Sequence, residues 1–533
     1  MAISVPPFVS ITLLSESNAL NTSEANIFIS SSYSGSGFGY NSISSSITYN
    51  TSSGHFTASE GGNYQIILNS IWGRAESFAS PGTTDYDRTI KFYKNDSLFY
   101  STTARYDYGD YASGSERTFH AVVSMSANDG IKITSTSTSA KNSFLSGSNL
   151  IIRKIDSDFA YTLKKTASTA LTGTVVTYFS GSENTDFSTA SSVMTITPDL
   201  EDGYFTIQNT GSYFTFFTDI LDDTSSGDNW MTESLNVGSF PGGGFSIAER
   251  TLWLDTATAT DQRTLINLST VDGTEVPAPI QIQATTDTNG ATGFISKAGT
   301  AITVMKIPRN AIMPISFNAG TSSYISTASN TNLLSSSFLQ SSIEDLSVVE
   351  MTFNSGSGII TIPSGGYYHL SYNIKIYNSN ASIDAGVQFQ VRRGCTNCSD
   401  GTVIYQGRTG VGAVTDPINY TLTTIISASD NDTLTLCARD YVTAGGNKVY
   451  IDTPSWFYLY RIDTYVPEPP PPSLYAYTQS AGIVAYGPNY VINAYSRSNQ
   501  YDRNAEQVPF FLGTPGVLSL RGRDTTGSVT STG

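Results

Sequence analysis

The sequence predicts an all-β chain, tandem antiparallel sandwiches followed by a C-terminal extended arm, on three observations. Only 14% of the 533 residues are charged although 12% are aromatic, and Ser, Thr, Asn and Gly carry most of the polarity. Short runs of alternating apolar and polar residues are bounded by Gly, Asn-Asp or Pro. One turn signature occurs three times at a near-constant separation. Thr and Tyr favour strands, Ser, Gly and Asn close turns, and the scarcity of Glu, Lys and Arg removes the usual material of solvated helices.

The signature first runs from Gly54 through Phe56 and Gly62 to Tyr64. It recurs as Gly203, Phe205, Gly211 and Tyr213, and again as Gly358, Ile360, Gly366 and Tyr368. Each copy reads as a short strand, a turn that needs glycine's backbone freedom, and a second strand that opens with an inward aromatic ring. The turn glycines Gly62, Gly211 and Gly366 lie 149 and 155 residues apart, which argues for tandem units of about 150 residues. A late apolar strand follows each at 149–155, 300–307 and 456–462, ending 93, 96 and 96 residues beyond its turn glycine. Strands of such apolar density need cover on both faces. Asn128-Asp129 and Asn431-Asp432 mark matching hairpins in the first and third units, and Asn95-Asp96 marks a further one. The middle unit is less regular over 219–229 and 277–290.

These markers divide the chain into modules at 1–160, 161–315 and 316–465, with 466–533 as a linker and tail. The run Pro467 to Pro472 reads as a stiff extended spacer. Beyond it, Tyr475, Tyr477, Tyr486, Tyr490 and Tyr495 suit docking on a protein neighbour, because a tyrosine ring buries area while its hydroxyl pairs at a wet rim.

At the turn signatures, the Asn-Asp hairpins and the late strands the sequence resembles the C1q/TNF-like jelly-roll superfamily, over roughly 20–155, 175–307 and 330–462. The resemblance implies ten-stranded sandwiches that assemble as trimers and act in recognition or structure without a shared catalytic apparatus. It also implies that Tyr64, Tyr213 and Tyr368 lie near the sandwich interior or the trimer axis. No collagen-like repeat precedes any module, and three modules stand in one chain. A single chain that mimics a trimer and three chains that stack trimeric tiers both satisfy this pattern.

Chemistry-bearing residues are sparse. The net charge of −16, from 28 basic and 44 acidic side chains, argues against nucleic acid as a partner. No run of 18 apolar residues suggests a membrane helix, and the N-terminal residues lack the basic and long apolar regions of a secretory signal. His55, His120 and His369 have no ligand spacing, and the abundant serines accompany no nucleophile elbow, so no catalytic residue, cofactor or metal is assigned. Cys395 and Cys398 form a candidate local disulfide or stand as loop cysteines, and Cys437 would be only a third zinc donor. Carboxylates at Asp85, Asp87, Asp107, Asp110, Asp222, Asp223, Asp430 and Asp432 read as turn caps more readily than as calcium ligands.

Low charge, serial jelly rolls and no secretory signal look like a viral outer-capsid, spike or fibre protein, assembled in the host cytoplasm and displayed on the virion surface. The expected partners are further copies of the chain, with a trimer favoured, then particle proteins and a host glycan or receptor. A carbohydrate-binding adhesin is the alternative reading, with loops 106–114 and 392–409 as contact regions. A polysaccharide-processing enzyme ranks below both.

Overall fold

The computed structural model describes residues 8–13, 22–29, 38–43, 46–74, 86–106, 115–138, 142–144, 147–155, 160–171, 176–179, 184–186, 196–199, 204–207, 211–224, 229–239, 243–254, 260–271, 280–287, 293–307, 312–317, 324–326, 329–339, 351–379, 385–411, 418–440, 448–462, 492–494 and 508–510. Residues 1–465 form one compact unit and 466–533 a second. In the second, Ile492–Ala494 pairs antiparallel with Val508–Phe510. Tyr475, Tyr477, Tyr486, Tyr490 and Tyr495 lie outside the described residues.

Among the described residues the first unit holds six sheets, arranged as three pairs over 8–155, 160–307 and 312–461. In the first pair one sheet runs Phe38–Ile43, Phe8–Leu13, Asn149–Ile155, Gly62–Arg74 and Ser115–Met125. Its companion runs Ile47–Asn50, His55–Ala58, Gly130–Ser137, Tyr86–Lys94 and Ser97–Tyr106. The opening strand thus lies beside the closing one, and the chain passes repeatedly between the sheets, which is jelly-roll topology. The other pairs repeat the order, except that the third has no described counterpart of Phe38–Ile43, with Gly211–Asp223 and Gly366–Asn378 as central strands and Ala301–Ile307 and Val449–Arg461 as closing strands. Every described ladder is antiparallel, and the fold is all-β.

Local chemistry explains the recurring turn. Gly54 and Gly358 adopt left-handed φ values of 69° and 66°. A Cβ at either position would meet the side chain of Asn26 at 2.3 Å or of Asn332 at 2.5 Å. Those asparagines clasp the turn: Asn26 Nδ2 donates to the Ser53 carbonyl and Asn332 Nδ2 to the Ser357 carbonyl. Their Oδ1 atoms accept from the amides of Phe28 and Leu334. Tyr64 and Tyr368 then lock the following strand by donating to carbonyls four residues back, Glu60 at 2.9 Å and Ser364 at 2.7 Å. Tyr64, Tyr213 and Tyr368 are buried, as are Phe56, Phe205 and Ile360 on the preceding strands. Gly62, Gly211 and Gly366 open the central strands, Gly62 at φ 146°. At the Asn-Asp hairpins, Asn128 and Asn431 take left-handed φ, and Asp129 and Asp432 each accept an amide three residues back at 2.7 Å. These acids cap turns, and that bond to the Ser126 amide is the first of several that hold the Asp129 carboxyl down to about 2.

The cysteine pairing differs from the local staple. Cys398 bonds Cys437, with Cα atoms 5.8 Å apart, and Cys395 is a buried free thiol donating to the Arg392 carbonyl. The reason is the turn. Asp400 accepts from the Thr396 and Asn397 amides and the Thr396 hydroxyl, folding 396–400 back on itself. Cys398 is thereby brought to Cys437 on the neighbouring strand Asp432–Asp440. Closing a loop of 39 residues removes more unfolded-state freedom than a three-residue one. Replacing Cys437 by Ser is expected to cost about 4 kcal/mol in denaturant unfolding, whereas Cys395→Ser leaves the disulfide intact, as a thiol titration of the unfolded chain would show.

Candidate functional site

Each central strand turns alternate residues to opposite sides. In the first pair Tyr64, Ile66 and Leu68 enter the sandwich core with Phe92 and Ile133, while Ile67 enters a different cluster. In the third, Tyr368, Leu370, Tyr372 and Ile374 fill the sandwich, and His369, Ser371 and Asn373 lie on the other face, equally buried. A lone sandwich would leave that second face in water. Here it is covered by the other two pairs, in a centre to which Ile67 and Ile151, Phe214 and Met305, and Trp456 and Tyr458 contribute from the first, second and third pairs respectively. One chain therefore supplies all three sides of this buried centre.

Equivalent positions meet there with unlike side chains. Three residues beyond the opening glycines stand Gln65, Phe214 and His369. Their closing-strand partners are Arg153, Met305 and Tyr460. Arg153 links all three pairs: Nε donates to Gln65 Oε1 at 2.6 Å, Nη1 to the Tyr460 hydroxyl at 2.6 Å, and Nη2 approaches Met305 Sδ at 3.7 Å. Phe214 meets the His369 ring edge-on with centroids 5.4 Å apart, and His369 lies 4.7 Å from Tyr460.

Two residues further along, His120, which pairs with Ile67, stacks on Phe216 of the second pair at 4.9 Å and 10°. Tyr458, which pairs with Ser371, donates to Asn267 Oδ1 at 2.9 Å. The next positions are amides and hydroxyls. Asn69 Nδ2 donates to Asn149 Oδ1 at 2.7 Å and to the Thr423 carbonyl at 2.5 Å. Asn149 donates to Thr424 at 3.0 Å, and Thr264 to the Thr118 carbonyl at 2.8 Å. Such buried bonds fix how the pairs register on one another, because a slip strands each donor at a cost of about 1–3 kcal/mol.

The charge state of the centre follows from burial. Loss of solvent, reinforced by the nearby Arg153 charge, pushes His120 down to about 3 and His369 well below its ordinary range. Burial raises the Tyr460 phenol, against the pull of Arg153. Arg153 has no carboxylate partner among the described residues.

Of the turn anchors named from sequence, Phe56 and Tyr64 pack in the first sandwich core and Ile360 and Tyr368 in the third, Phe205 and Tyr213 are buried, Gly62 and Gly366 are half-buried where their strands open, and Cys395 and Cys398 lie in the 394–401 turn of the third pair. Sequence reasoning passed over Arg153, His120 and His369 as a group, since they are distant along the chain and share no motif. Among the described residues no group of three His, Cys, Asp or Glu side chains is placed to hold a metal. No family model and no curated protein matches the chain. Among solved structures it is similar to the Eiger TNF from S. frugiperda, at 10% identity over 28% of this chain and 92% of that one, with a TM-score of 0.23. It is also similar to murine APRIL at pH 5.0, at 10% identity over 28% and 98%, with a TM-score of 0.21.

The neutral histidines give a pH dependence whose sign is fixed. Unfolded histidine gains its proton near pH 6.5, while the buried rings stay neutral well below that. Acid therefore favours the unfolded chain from pH 6.5 downward, by roughly 1 kcal/mol per pH unit for each ring. Carboxylates such as Glu24, held down to about 2 chiefly by Lys91, add their own loss only below about 4.5. Between pH 7 and 5, thermal melts should show stability falling in the native chain, and His369→Phe, which places at 369 the residue found at 214, should remove about half of that slope.

Proposed function

We propose that the chain is a non-enzymatic structural component of the outer surface of a virus particle, assembled in the host cytoplasm. The observation that carries this reading is the sealed centre. One chain supplies all three sectors of a trimer-like body and commits its chemically reactive side chains there to packing and hydrogen bonds. Such a body is rigid and pre-assembled, suited to bearing or presenting surfaces, with outer faces left for further copies, particle proteins and a host receptor. The Cys398–Cys437 bond supports exposure to an oxidising exterior, which virion surfaces meet. The tyrosine-rich segment beyond 466 acts as the docking arm.

The adhesin reading keeps one specific support. The turn over 394–401 is pinned by the disulfide and by Asp400, and it is largely exposed, as a loop that grips a host glycan would be.

On sedimentation of infected-cell extracts the chain should travel with particles, and antibody labelling should mark their outer surface. Recovery solely as a free 57.1 kDa chain overturns the proposal. Removing 466–533 should abolish particle association while the unfolding transition of the remainder is retained. Exchange of 394–401 for an unrelated turn should leave particle association unchanged and, on the adhesin reading, eliminate glycan-array binding.

A further inference from the structure

We propose that the shared centre binds one small monovalent anion, a halide, held by the Arg153 guanidinium together with ring N–H groups of His120 and His369. Hydrogen-bond accounting around Arg153 carries the inference. A guanidinium offers five N–H donors and accepts nothing. Arg153 places one on Gln65 Oε1 and one on the Tyr460 hydroxyl, and directs Nη2 at the Met305 thioether, a weak acceptor 3.7 Å away. Among the described residues it forms no ion pair, although it is only 7% exposed. A buried ion without a counter-charge costs several kcal/mol, and buried charges are ordinarily paired.

The neighbours add donors. Because Gln65 Oε1 accepts from Arg153, its Nε2 must donate to His120 Nε2 at 3.1 Å. That fixes the neutral His120 proton on Nδ1, an atom with no hydrogen-bond partner among the described residues. The Tyr460 oxygen accepts from Arg153, which leaves its own O–H to donate, and among the described residues it has no acceptor. His369 is fully buried with neither ring nitrogen bonded among the described residues, and one of them carries a proton. Apart from the second ring nitrogen of His369, which is an acceptor, these groups are donors in want of an acceptor, around a single formal positive charge. Water would bring two donors of its own into this setting. A monovalent anion accepts from several N–H and O–H groups at once and cancels the charge one for one, which a divalent oxyanion does not. The two histidines stay neutral through burial and the Arg153 field, so the charge to be matched is one.

The test uses the full chain with bromide or chloride as the probe. Crystals grown in bromide should show an anomalous peak at hydrogen-bond distance from Arg153. A peak with no anomalous signal there, meaning water, or no peak at all, overturns the proposal. In solution at constant ionic strength, replacing gluconate by chloride should raise the unfolding midpoint by roughly 2–4 °C and then saturate. Arg153→Met, which repeats the residue at position 305, should abolish that dependence. An undiminished chloride response in the variant overturns the site. If the variant does not fold, the bromide diffraction from the native chain decides.

Discussion

The closing strand of each sandwich presents one face to its own core and the other to a centre shared with two neighbours. Double burial of this kind leaves no solvent to satisfy a misplaced polar group, so every hydroxyl, amide and charge on those strands needs a partner inside the protein. In a ring of identical chains each axial residue appears three times at one level. Three arginines brought within about 4 Å of one another would repel by about 4 kcal/mol per pair even at an effective dielectric of 20. With three different sectors in one chain, Arg153, Met305 and Tyr460 occupy equivalent places, and the guanidinium meets a thioether and a phenol instead of copies of itself.

The same requirement accounts for the composition. Asn69, Thr118, Asn149, Thr264 and Thr423 hydrogen-bond across the boundaries between pairs without carrying charge into them. Ion pairs are found mainly on outer hairpins, such as Lys91 with Glu24 at 2.6 Å and Lys132 with Asp96 at 2.5 Å. Exposed pairs of this kind contribute little to stability and serve more to fix hairpin geometry. A low proportion of charged residues is what a chain needs when so much of each sheet surface is interior.

The turn signatures and the all-β class were legible in the sequence because their demands are local: a left-handed glycine, an asparagine at a hairpin, a tyrosine reaching a carbonyl four residues back. The apolar density of 149–155, 300–307 and 456–462 also carried the need for cover on both faces. What covers them was not legible. Gln65, Phe214 and His369 share a position yet no chemistry, and Gln65 and Asn69 alternate with apolar residues in the way a solvated strand face would. The Cys395–Cys398 staple illustrates the same gap. Nearness along the chain suggested a bond that the strand register gives to Cys437, 39 residues on. The asparagine clasps at Asn26 and Asn332 recur with almost the same spacing as the turns they hold, and that spacing was the signal available to find them.

The position of Trp456, Tyr458 and Tyr460 bears on how the protein comes into being. These rings belong to the last strand of the compact unit, and without them the first two sandwiches would show Phe214, Phe216 and Arg153 an open side. During synthesis at about 5–20 residues per second, the first two sandwiches are complete well before that strand leaves the ribosome. For that interval the nascent chain displays an aromatic face around an unneutralised cation, a surface on which chaperones, or the wrong neighbouring chain, would dock before the third sandwich closes it.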